Sequence, residues 1–507
     1  MSMLDYRTYE EAKEKFTIDQ IWELFDGTPE HFNLGHECVD RHRDKGIGVR
    51  IQFDDGRREE HAFADLSRLT AQFAHVLETF GIGRGDRVAV MLDPSLDFYV
   101  CLYGILKRGA IFVPCFTAFG PEALGYRMKD SAAKLLFTTP ELAATIVAEG
   151  RYRVVPTEAE FRHLMAAQKD TYTVADTAAK DVAVFQYTSG ATRKFPQAIP
   201  HHHKSVPLLM PAAVFGRGYR FGDRFFCPSS PAWGHGLWHG TLSPMALGVA
   251  VGSYSGKFNV RTLLEGLEKF EIDNFGAAPT VYRMIKNSGL IDNYKLKIRK
   301  MHYTGEPMDT DTFDFFKAKF GVPPNSGYGS TEVGAVIYQY AGFPNWVAKS
   351  GSLGKPMPGL EVKLIDKEGN EVPQGQIGEI AIHRRGKWLR ARDAAVIDED
   401  GYFWHKGRVD DIIISAGWTI SPTEVEDCLK RHPAVQEAAV IGALDSERGQ
   451  IVKAFVVANQ LATKELAKDI KEFVRINLSK HEYPRVIEFV PDLPKTDGGK
   501  VSKKGLK

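Results

Sequence analysis

The apolar residues in the first part of the chain alternate between helical spacing and short continuous runs. Five of them recur at the spacing of an amphipathic helix: Leu66, Leu69, Phe73, Val76 and Phe80. A glycine-containing turn follows at residues 81–86, and a short apolar strand follows at 87–92. Residues 98–110 then predict another helix and residues 111–115 another strand. This order is typical of an α/β domain built on parallel-type sheets.

The same alternation resumes at four later stretches: residues 134–139, 181–190, 248–256 and 272–285. Between Leu360 and Ile382 the pattern changes to alternating strands that are broken by turn residues, which predicts a small antiparallel sheet. From about Arg408 the pattern resets to short strands with helices at 423–432 and 466–478. We therefore predict a large, multi-layered α/β domain over residues 1–409 and a small α+β domain over 410–507.

Composition restricts the classes of partner. The chain has 507 residues, of which 43% are hydrophobic and 25% charged, and its 65 basic residues nearly balance 64 acidic ones. A net charge of +1 provides no global attraction for nucleic acid or an anionic membrane. The N-terminus lacks the apolar run of a signal peptide, and no stretch approaches the roughly 20 apolar residues of a membrane span. We expect a cytoplasmic protein, either a monomer or a homodimer.

Cysteine and histidine spacing does not favour a metal site. The five cysteines are scattered, which argues against a zinc site or a disulfide framework and favours buried free thiols: Cys38, Cys101, Cys115, Cys227 and Cys428. His201, His202 and His203 are consecutive, so their side chains point in different directions, and no second cluster has ligand spacing. We therefore predict no metal at the histidine triplet.

A loop at residues 187–194, with sequence YTSGATRK, follows directly on a predicted strand. Hydroxyl groups and backbone N–H groups emerging at a strand end can converge on phosphate oxygens, and Arg193 and Lys194 add positive charge. The loop does not match the GxxxxGK[ST] pattern of the NTPase P-loop. Taken alone, it is compatible with either a phosphate cradle or an ordinary polar turn.

Six motifs in a fixed order carry a family resemblance: YTSGATRK (187–194), TGEP (304–307), GYGSTE (327–332), Asp393 with DEDGYF (398–403), GRVDD (407–411) and PKTDGGK (494–500). In this order they resemble the adenylate-forming superfamily and are most similar to its medium-chain and aromatic acyl-CoA synthetases. The resemblance covers nearly the whole chain. It implies ATP, Mg²⁺ and CoA as cofactors and a small carboxylic acid as substrate.

The resemblance also implies a role for individual residues. It places the following residues at the nucleotide: Thr188, Ser189, Gly190, Thr192 and Lys194 at the β- and γ-phosphates; Gly305, Glu306 and Pro307 in the turn that lines the adenine pocket; Tyr328 stacked on adenine, with Gly329 and Ser330 beside it; and Asp393 and Arg408 at the ribose. Thr331 corresponds to a phosphate-contacting threonine, Glu332 to the carboxylate that organises magnesium, and Lys500 to the lysine of adenylation. Asp410 corresponds to the hinge before a mobile C-terminal domain.

Further positions concern the acyl group and CoA. Trp233 and Trp238 lie where similar medium-chain enzymes place a pocket tryptophan, and His235 is either a substrate contact or a hydrogen-bonded structural histidine. Gly329 replaces a tryptophan that shortens the pocket of acetyl-CoA synthetases, and Gly327 leaves room at the same edge, so we expect a medium-chain, cyclic or aromatic acid. Gly417 and Trp418 correspond to the CoA tunnel.

The chain departs from the family pattern at several positions. ATRKFPQ at residues 191–197 replaces the usual TTGKPKG, and the usual threonine and glycine before the ribose aspartate are Ala391 and Arg392. Thr419 stands where many CoA-using members have an arginine. These departures leave two alternatives to an acid:CoA ligase. One is an adenylating enzyme that delivers the acyl group to a carrier-protein pantetheine, and the other is a nucleotide-binding relative without thiolation activity.

Overall fold

A computed structural model describes residues 2–146, 152–188, 197–330, 333–384, 386–415, 418–445, 448–478, 482–495, 501–503 and 506. The chain divides into two compact units. The first comprises Met1–Gly327, Tyr338–Ser350 and Met357–Gly359, and the second comprises Tyr328–Ile337, Gly351–Pro356 and Leu360–Lys507. The boundary predicted between residues 409 and 410 marks a hinge, whereas the two units are defined by compactness. The predicted boundary therefore stays a prediction.

The first unit contains twelve α-helices in its described part: α1 (Tyr9–Lys15), α2 (Leu34–Cys38), α3 (Phe63–Thr79), α4 (Leu96–Lys107), α5 (Pro121–Ser131), α6 (Pro140–Ala143), α7 (Ala159–Ala166), α8 (Ser205–Pro211), α9 (Ser243–Ala246), α10 (Val260–Lys269), α11 (Pro279–Ser288) and α12 (Thr310–Phe320). Two π-helical segments, Ala212–Gly216 and His235–Leu242, adjoin α8 and α9. Short 3₁₀ turns lie at Ile18–Leu24, Asp40–His42 and Ile291–Asn293.

Strands of the first unit form two largely parallel arrays. Their bounds are β1 (Ile47–Phe53), β2 (Arg58–Ala62), β3 (Arg87–Met91), β4 (Ile111–Pro114), β5 (Leu135–Thr138), β6 (Arg153–Pro156), β7 (Val182–Thr188), β8 (Gln197–His202), β9 (Arg224–Cys227), β10 (Ala250–Ser255), β11 (Asn274–Ala277), β12 (Lys300–Thr304) and β13 (Pro324–Ser330). One array has the order β6-β5-β3-β4-β7-β8, and the other runs β13-β12-β11-β9-β10-β1-β2. Only the terminal pairs β7/β8 and β1/β2 are antiparallel. The predicted α/β architecture is confirmed.

Apolar side chains of these elements form the core of the first unit. Leu263, Leu264 and Leu267 of α10 pack with Phe275 of β11 and Met301 of β12 in one buried cluster. Helix α10 begins at the side chain of Asn259, whose Oδ1 accepts a hydrogen bond from the Thr262 amide. Its apolar residues fall on one helical face, which explains why that face is buried against the sheet.

The second unit contains two sheets. Its elements are β14 (Gly334–Tyr338), β15 (Ser352–Pro356), β16 (Glu361–Ile365), β17 (Gly378–Arg384), β18 (Lys387–Ile397), β19 (Phe403–Arg408), a 3₁₀ turn at Val409–Asp411, β20 (Ile413–Ser415), β21 (Trp418–Ile420), α13 (Pro422–Lys430), β22 (Val435–Asp445), β23 (Gly449–Ala458), α14 (Lys464–Asn477) and β24 (Val486–Phe489). The first sheet has the order β16-β17-β18-β19-β15-β14, and its β16/β17 hairpin is antiparallel as predicted.

The C-terminal sheet has the order β21-β20-β23-β22, with β24 parallel to β23. Helix α14 connects β23 to β24, so these three elements form the strand–helix–strand unit that the sequence pattern predicts. Helices α13 and α14 bury Val425, Leu429 and Ile470 against the sheet. The remaining strand pairs in this sheet are antiparallel, which gives the predicted α+β character.

Candidate nucleotide and acyl site

The Asp393 carboxylate lies beside a bulge between two strands of the second unit. Asp393 on β18 pairs with Arg408 on β19, and the register shifts between Ala394 and Ala395. The extra residue on β19 allows both His405 and Arg408 to reach the same carboxylate oxygen. His405 Nε2 lies 3.6 Å and Arg408 Nη1 3.4 Å from Oδ1 of Asp393. The hydroxyl of Tyr328 donates a hydrogen bond of 2.6 Å to the other oxygen, Oδ2.

These neighbours keep Asp393 ionised. The residue is only 7% exposed, and burial by itself raises the pKa of the carboxyl. Hydrogen bonds from His405 and Tyr328, together with the charges of His405 and Arg408, outweigh burial, so the net pKa of Asp393 is below its usual value. An ionised carboxylate accepts several hydrogen bonds and donates none, which suits a vicinal diol. The predicted ribose residues Asp393 and Arg408 therefore lie together, with Tyr328 bound to the same carboxylate.

The turn predicted to line the adenine pocket follows β12 in the first unit. Gly305 has φ of +100°, a conformation that residues with a side chain rarely adopt. The Glu306 carboxylate accepts hydrogen bonds from the backbone and hydroxyl of Thr280 and from Arg283, at 2.9, 2.5 and 2.9 Å. These bonds hold the Glu306 carboxylate at the first turn of α11. The place of Gly305, Glu306 and Pro307 at the adenine pocket stays a prediction.

Three residues predicted for the acyl pocket lie on or just before one π-helical segment of the first unit. Trp238 is buried, and its indole Nε1 donates to Gln186 Oε1 at 2.8 Å while its ring packs on His201 at 4.8 Å. His235 is half-buried, with its Nδ1 atom 2.9 Å from the Ser229 hydroxyl, and the loss of solvent around its ring, reinforced by the charge of Arg217, lowers its pKa to about 3. Trp233 is 43% exposed.

Gly327 and Gly329, the two glycines predicted for the acyl pocket, have a different role from the one expected. A Cβ atom added at Gly327 would lie 2.5 Å from Cε1 of Tyr338, and one at Gly329 would lie 2.4 Å from the carbonyl oxygen of Gly334. The space beside each glycine is therefore already filled by the protein. The expectation that their missing side chains leave room for the acyl group is wrong in its reason, because close packing within the sheet requires glycine there. Their place at the pocket edge stays a prediction.

Arg392 explains one departure from the family pattern. Its φ of +60° lies in the left-handed region, where glycine is the usual residue. Its backbone N–H donates to Glu379 Oε1 at 3.1 Å, while Ala391 is buried in the sheet core. Arg392 thus adopts the backbone conformation that usually favours glycine, directly before Asp393.

Several predicted residues lie outside the described parts of the chain: Ser189, Gly190, Thr192, Arg193, Lys194, Thr331, Glu332, Gly417 and Lys500. For Thr188, Ser330, Trp418 and Thr419 the structure describes the backbone but not the side chain. Thr188 ends β7 and Trp418 begins β21. Asp410 is exposed in the 3₁₀ turn that follows β19. The roles assigned to all these residues stay predictions.

The remaining polar clusters have structural partners. His201 packs on Trp238, His202 Nδ1 lies 2.5 Å from the Lys180 carbonyl oxygen, and His203 Nδ1 accepts from the Leu34 amide at 3.2 Å. The five cysteines are free and buried. Across the described ranges, no group of three or more His, Cys, Asp or Glu residues could hold a metal ion. No helix in those same ranges is both long enough and apolar enough to cross a membrane.

Sequence reasoning missed His405, which contacts Asp393 from the same strand as Arg408. Alternation along an unbroken strand places residues 405 and 408 on opposite faces, so only the bulge reveals their common target. It also missed the packing of Tyr338 against Gly327, since these residues are eleven positions apart and meet only in the folded sheet.

Comparison with known families identifies the fold. An AMP-binding enzyme model matches residues 37–388, and a model of the AMP-binding enzyme C-terminal domain matches residues 424–500. The chain belongs to the AMP-binding enzyme family. It is 30% identical to mouse mitochondrial acyl-coenzyme A synthetase ACSM3, over 99% of this chain and 95% of that protein. It is 31% identical to acetyl-coenzyme A synthetase of Bacillus subtilis (strain 168), over 94% of this chain and 90% of that protein.

Solved structures of this family agree. The anthranilate CoA ligase AuaEII in complex with anthranoyl-AMP has a TM-score of 0.82 and 28% identity, over 94% of this chain and 97% of that one. A benzoate CoA ligase from Burkholderia xenovorans LB400 has a TM-score of 0.79 and 26% identity, over 94% and 99% of the two chains. The predicted membership among AMP-forming acyl-CoA synthetases, and the fold that it implies, are confirmed.

Proposed function

We propose that this family member is an ATP-dependent carboxylic acid:CoA ligase. A carboxylate oxygen of the acid attacks the α-phosphorus of ATP, pyrophosphate leaves, and an acyl-AMP forms. The CoA thiolate then attacks the acyl carbon and AMP leaves. The observation that carries the proposal is the buried Asp393 carboxylate, held ionised by Tyr328, His405 and Arg408, in a chain whose two family models describe AMP-binding enzymes.

The protein's own groups bind and orient the nucleotide. Asp393 accepts hydrogen bonds from the ribose hydroxyls. The hydroxyl of Tyr328 donates to the same carboxylate, and the ring of Tyr328 stacks on adenine. The backbone from Gly305 to Pro307 lines the adenine pocket, and the loop at residues 188–194 holds the β- and γ-phosphates. Lys500 contacts the carboxylate and the α-phosphate as negative charge develops. One such preorganised donor typically contributes about 3 kcal/mol of transition-state stabilisation.

Mg²⁺ supplies charge neutralisation between the two anionic reactants when it is bound. Glu332 and the nucleotide phosphates would hold it, with Thr331 contacting a phosphate.

CoA is the proposed acceptor for the second step. Gly417 and Trp418 line its tunnel, and rotation about Asp410 brings the C-terminal domain into position for thiolation. In the arrangement described by the structure, the Ser421 hydroxyl donates to the Lys406 carbonyl oxygen at 2.7 Å, and Lys406 forms an ion pair with Glu424. Because residues 421 and 424 follow the hinge while residue 406 precedes it, rotation must break both contacts.

A medium-chain, cyclic or aromatic acid is the proposed substrate class. Buried Trp238 and half-buried His235 supply an aromatic surface, and aromatic side chains favour bulky apolar or ring-bearing groups. Relatives of this chain include an anthranilate CoA ligase and a benzoate CoA ligase. These similarities support an acid of that size.

Pyrophosphate release from ATP tests the function with a panel of aliphatic, cyclic and aromatic acids, each with and without CoA. We expect acid-dependent pyrophosphate release, with acyl-CoA and AMP accumulating when CoA is present. Accumulation of acyl-AMP despite CoA would instead favour a carrier-protein acceptor. Absence of pyrophosphate with every acid would favour a nucleotide-binding relative without catalytic activity.

Two variants sharpen this test. Lys500→Ala is expected to lose adenylation by about 100-fold while retaining ATP binding, because its contact forms mainly in the transition state. Asp393→Asn is expected to weaken ATP binding itself, because an amide lacks the negative charge to which the ribose hydroxyls would donate and with which Arg408 pairs. Equal loss of binding and turnover in both variants would contradict the separate roles assigned to them.

A further inference from the structure

A buried arginine without a charged partner lies behind the proposed acyl pocket. Arg217 follows the π-helical segment Ala212–Gly216 in the first unit and is only 1% exposed. Its Nε and Nη2 atoms have no hydrogen-bond partner in the described structure, and no described carboxylate forms an ion pair with it. Its guanidinium carbon lies 5.4 Å from the centre of the Tyr338 ring. A buried charge without an anion is costly, because protein replaces the water that would solvate it.

Three histidines near Arg217 add no positive charge of their own. Burial lowers the pKa of His235 to about 3 and holds those of His239 and His302 well below the usual value, with the charge of Arg217 as the next cause. All three rings are therefore neutral at pH 7. Four of their nitrogens also lack partners in the described residues: Nε2 of His235, Nδ1 of His239, and Nδ1 and Nε2 of His302.

The carboxylate of nearby Asp223 is already paired with another cation. Asn274 donates to the Arg217 carbonyl oxygen at 3.5 Å and to Asp223 Oδ2 at 3.2 Å, so it links the two residues. The Lys300 ammonium lies 2.9 and 2.8 Å from the two oxygens of Asp223. Asp223 and Lys300 neutralise each other, and the positive charge of Arg217 remains.

The cluster shares two walls with the proposed acyl pocket. One wall is the π-helical segment that carries His235, Trp238 and His239, in which the rings of His235 and His239 are 6.2 Å apart. The other wall is the Tyr338 ring, which fills the space beside Gly327 and also packs against Gly216, the residue before Arg217. The Tyr338 ring therefore lies against both Gly327, a residue proposed at the edge of the acyl pocket, and the Arg217 guanidinium.

We propose that the acid substrate carries a second carboxylate at the end remote from the reacting one, and that Arg217 receives it. The planar guanidinium group of Arg217 can rotate to donate two parallel hydrogen bonds to a carboxylate. The neutral imidazoles of His239 and His302 supply further donors to the same group. This inference rests on the proposed function and narrows its substrate class to dicarboxylic acids. The inference gives the acyl pocket two different parts, which are a charged far end at Arg217 and an aromatic surface at Trp238.

The test compares each diacid with its own monoamide, which matches its shape and lacks the distal charge. Pyrophosphate release is measured with aliphatic diacids of four to ten carbons and with benzene dicarboxylates, together with the corresponding monoamides and monocarboxylates. We expect kcat/KM for the preferred diacid to exceed that for its monoamide by at least about 100-fold, because a site built around a buried charge strongly rejects a neutral analogue.

Variants of Arg217 separate charge recognition from folding. Arg217→Met is expected to lower kcat/KM for the diacid by about 100-fold while raising it for the monocarboxylate, and Arg217→Lys should keep part of the preference. Arg50→Met is the matched control, since Arg50 is also buried in the first unit but binds Glu60 at 2.8 Å. That variant should lose stability and keep the wild-type diacid preference.

The outcomes also separate this inference from the function on which it rests. Turnover of monoacids and monoamides as efficient as that of diacids in the wild-type enzyme would overturn the assignment of Arg217 and leave the ligase function intact. An unchanged preference in a folded Arg217→Met protein would overturn it as well. Absence of pyrophosphate release with every acid would overturn both proposals.

Discussion

Replacing Tyr328 with phenylalanine removes a single hydroxyl and leaves the aromatic ring in place. That hydroxyl donates a 2.6 Å hydrogen bond to the buried, ionised carboxylate of Asp393. Hydrogen bonds to charged groups contribute about 1.5–3 kcal/mol in proteins, and short charge-assisted ones lie toward the upper part of that range. We therefore expect Tyr328→Phe to lower the free energy of unfolding at pH 7 by about 2 kcal/mol.

In the proposed function, the same bond also orients Asp393 for the ribose. Without it, the carboxylate keeps its contacts with His405 and Arg408 on one oxygen and loses the contact on the other. A loss of about 1.4 kcal/mol in nucleotide binding corresponds to a tenfold change. We expect the KM for ATP to rise about tenfold, with a smaller change in kcat, because the ring that is proposed to stack on adenine is unaltered. Initial rates of pyrophosphate release at saturating acid measure both constants.

The pH dependence has a definite sign. The pKa of Asp393 is lowered in the folded protein, so its contribution to stability is fully present above the ordinary carboxyl pKa of about 3.9 and is lost as pH falls through the folded value. In Tyr328→Phe the folded pKa moves back toward the ordinary value. The difference in unfolding free energy between the two proteins should therefore be largest near pH 7 and shrink in acid.

A double-mutant cycle decides whether the effect passes through Asp393. In an Asp393→Asn background, Tyr328→Phe should cost much less, since the charge to which the hydroxyl donates is gone. Tyr483→Phe removes a hydroxyl from a tyrosine packed on the C-terminal core, away from this carboxylate, and should leave the KM for ATP unchanged. Full additivity of the two substitutions, or a KM for ATP unaffected by Tyr328→Phe, would refute the reasoning.

Three further predictions concern other parts of the chain. Gly327→Ala places a Cβ 2.5 Å from the Tyr338 ring, so we expect a loss of about 1–3 kcal/mol in unfolding free energy and a changed ranking of acid substrates, checked by urea denaturation and the acid panel. Trp238→Phe removes the 2.8 Å bond to Gln186, and urea denaturation should show a loss of about 2 kcal/mol from the buried amide left without its partner. Lys406→Met breaks the ion pair with Glu424 and should raise the rate of chymotryptic cleavage within residues 409–420 about fivefold. This factor corresponds to a loss of about 1 kcal/mol in the free energy of local opening. An unchanged rate would show that the ion pair does not restrain the segment.

Much of the fold follows from local patterns in the sequence. The residues from Leu66 to Val76 bury one face of α3, and Phe98 to Lys107 form most of α4, as their spacing predicts. The hairpin of β16 and β17 and the helices α13 and α14 were also predictable. These elements depend on side-chain periodicity and turn residues over a few positions, and such short-range information is present in a single sequence.

The order of the motifs also determined the family, and with it the residues expected at the nucleotide. Asp393 and Arg408 were expected at one ribose site from this resemblance, and the structure places them in register on paired strands. Arginine in place of the usual glycine at position 392 was visible in the sequence, although only the backbone angle of +60° shows that this arginine adopts a conformation that favours glycine.

Only the tertiary structure revealed the features that depend on packing between distant segments. A bulge brings His405 to Asp393, and sheet formation places Tyr338 beside Gly327, so the glycine that was expected to open a pocket is instead required by a neighbouring ring. The charge at Arg217 is a further example, because its significance is the absence of a carboxylate among the described residues around it. Burial and pairing of charges are properties of three-dimensional neighbourhoods, which a linear pattern of residue types does not encode.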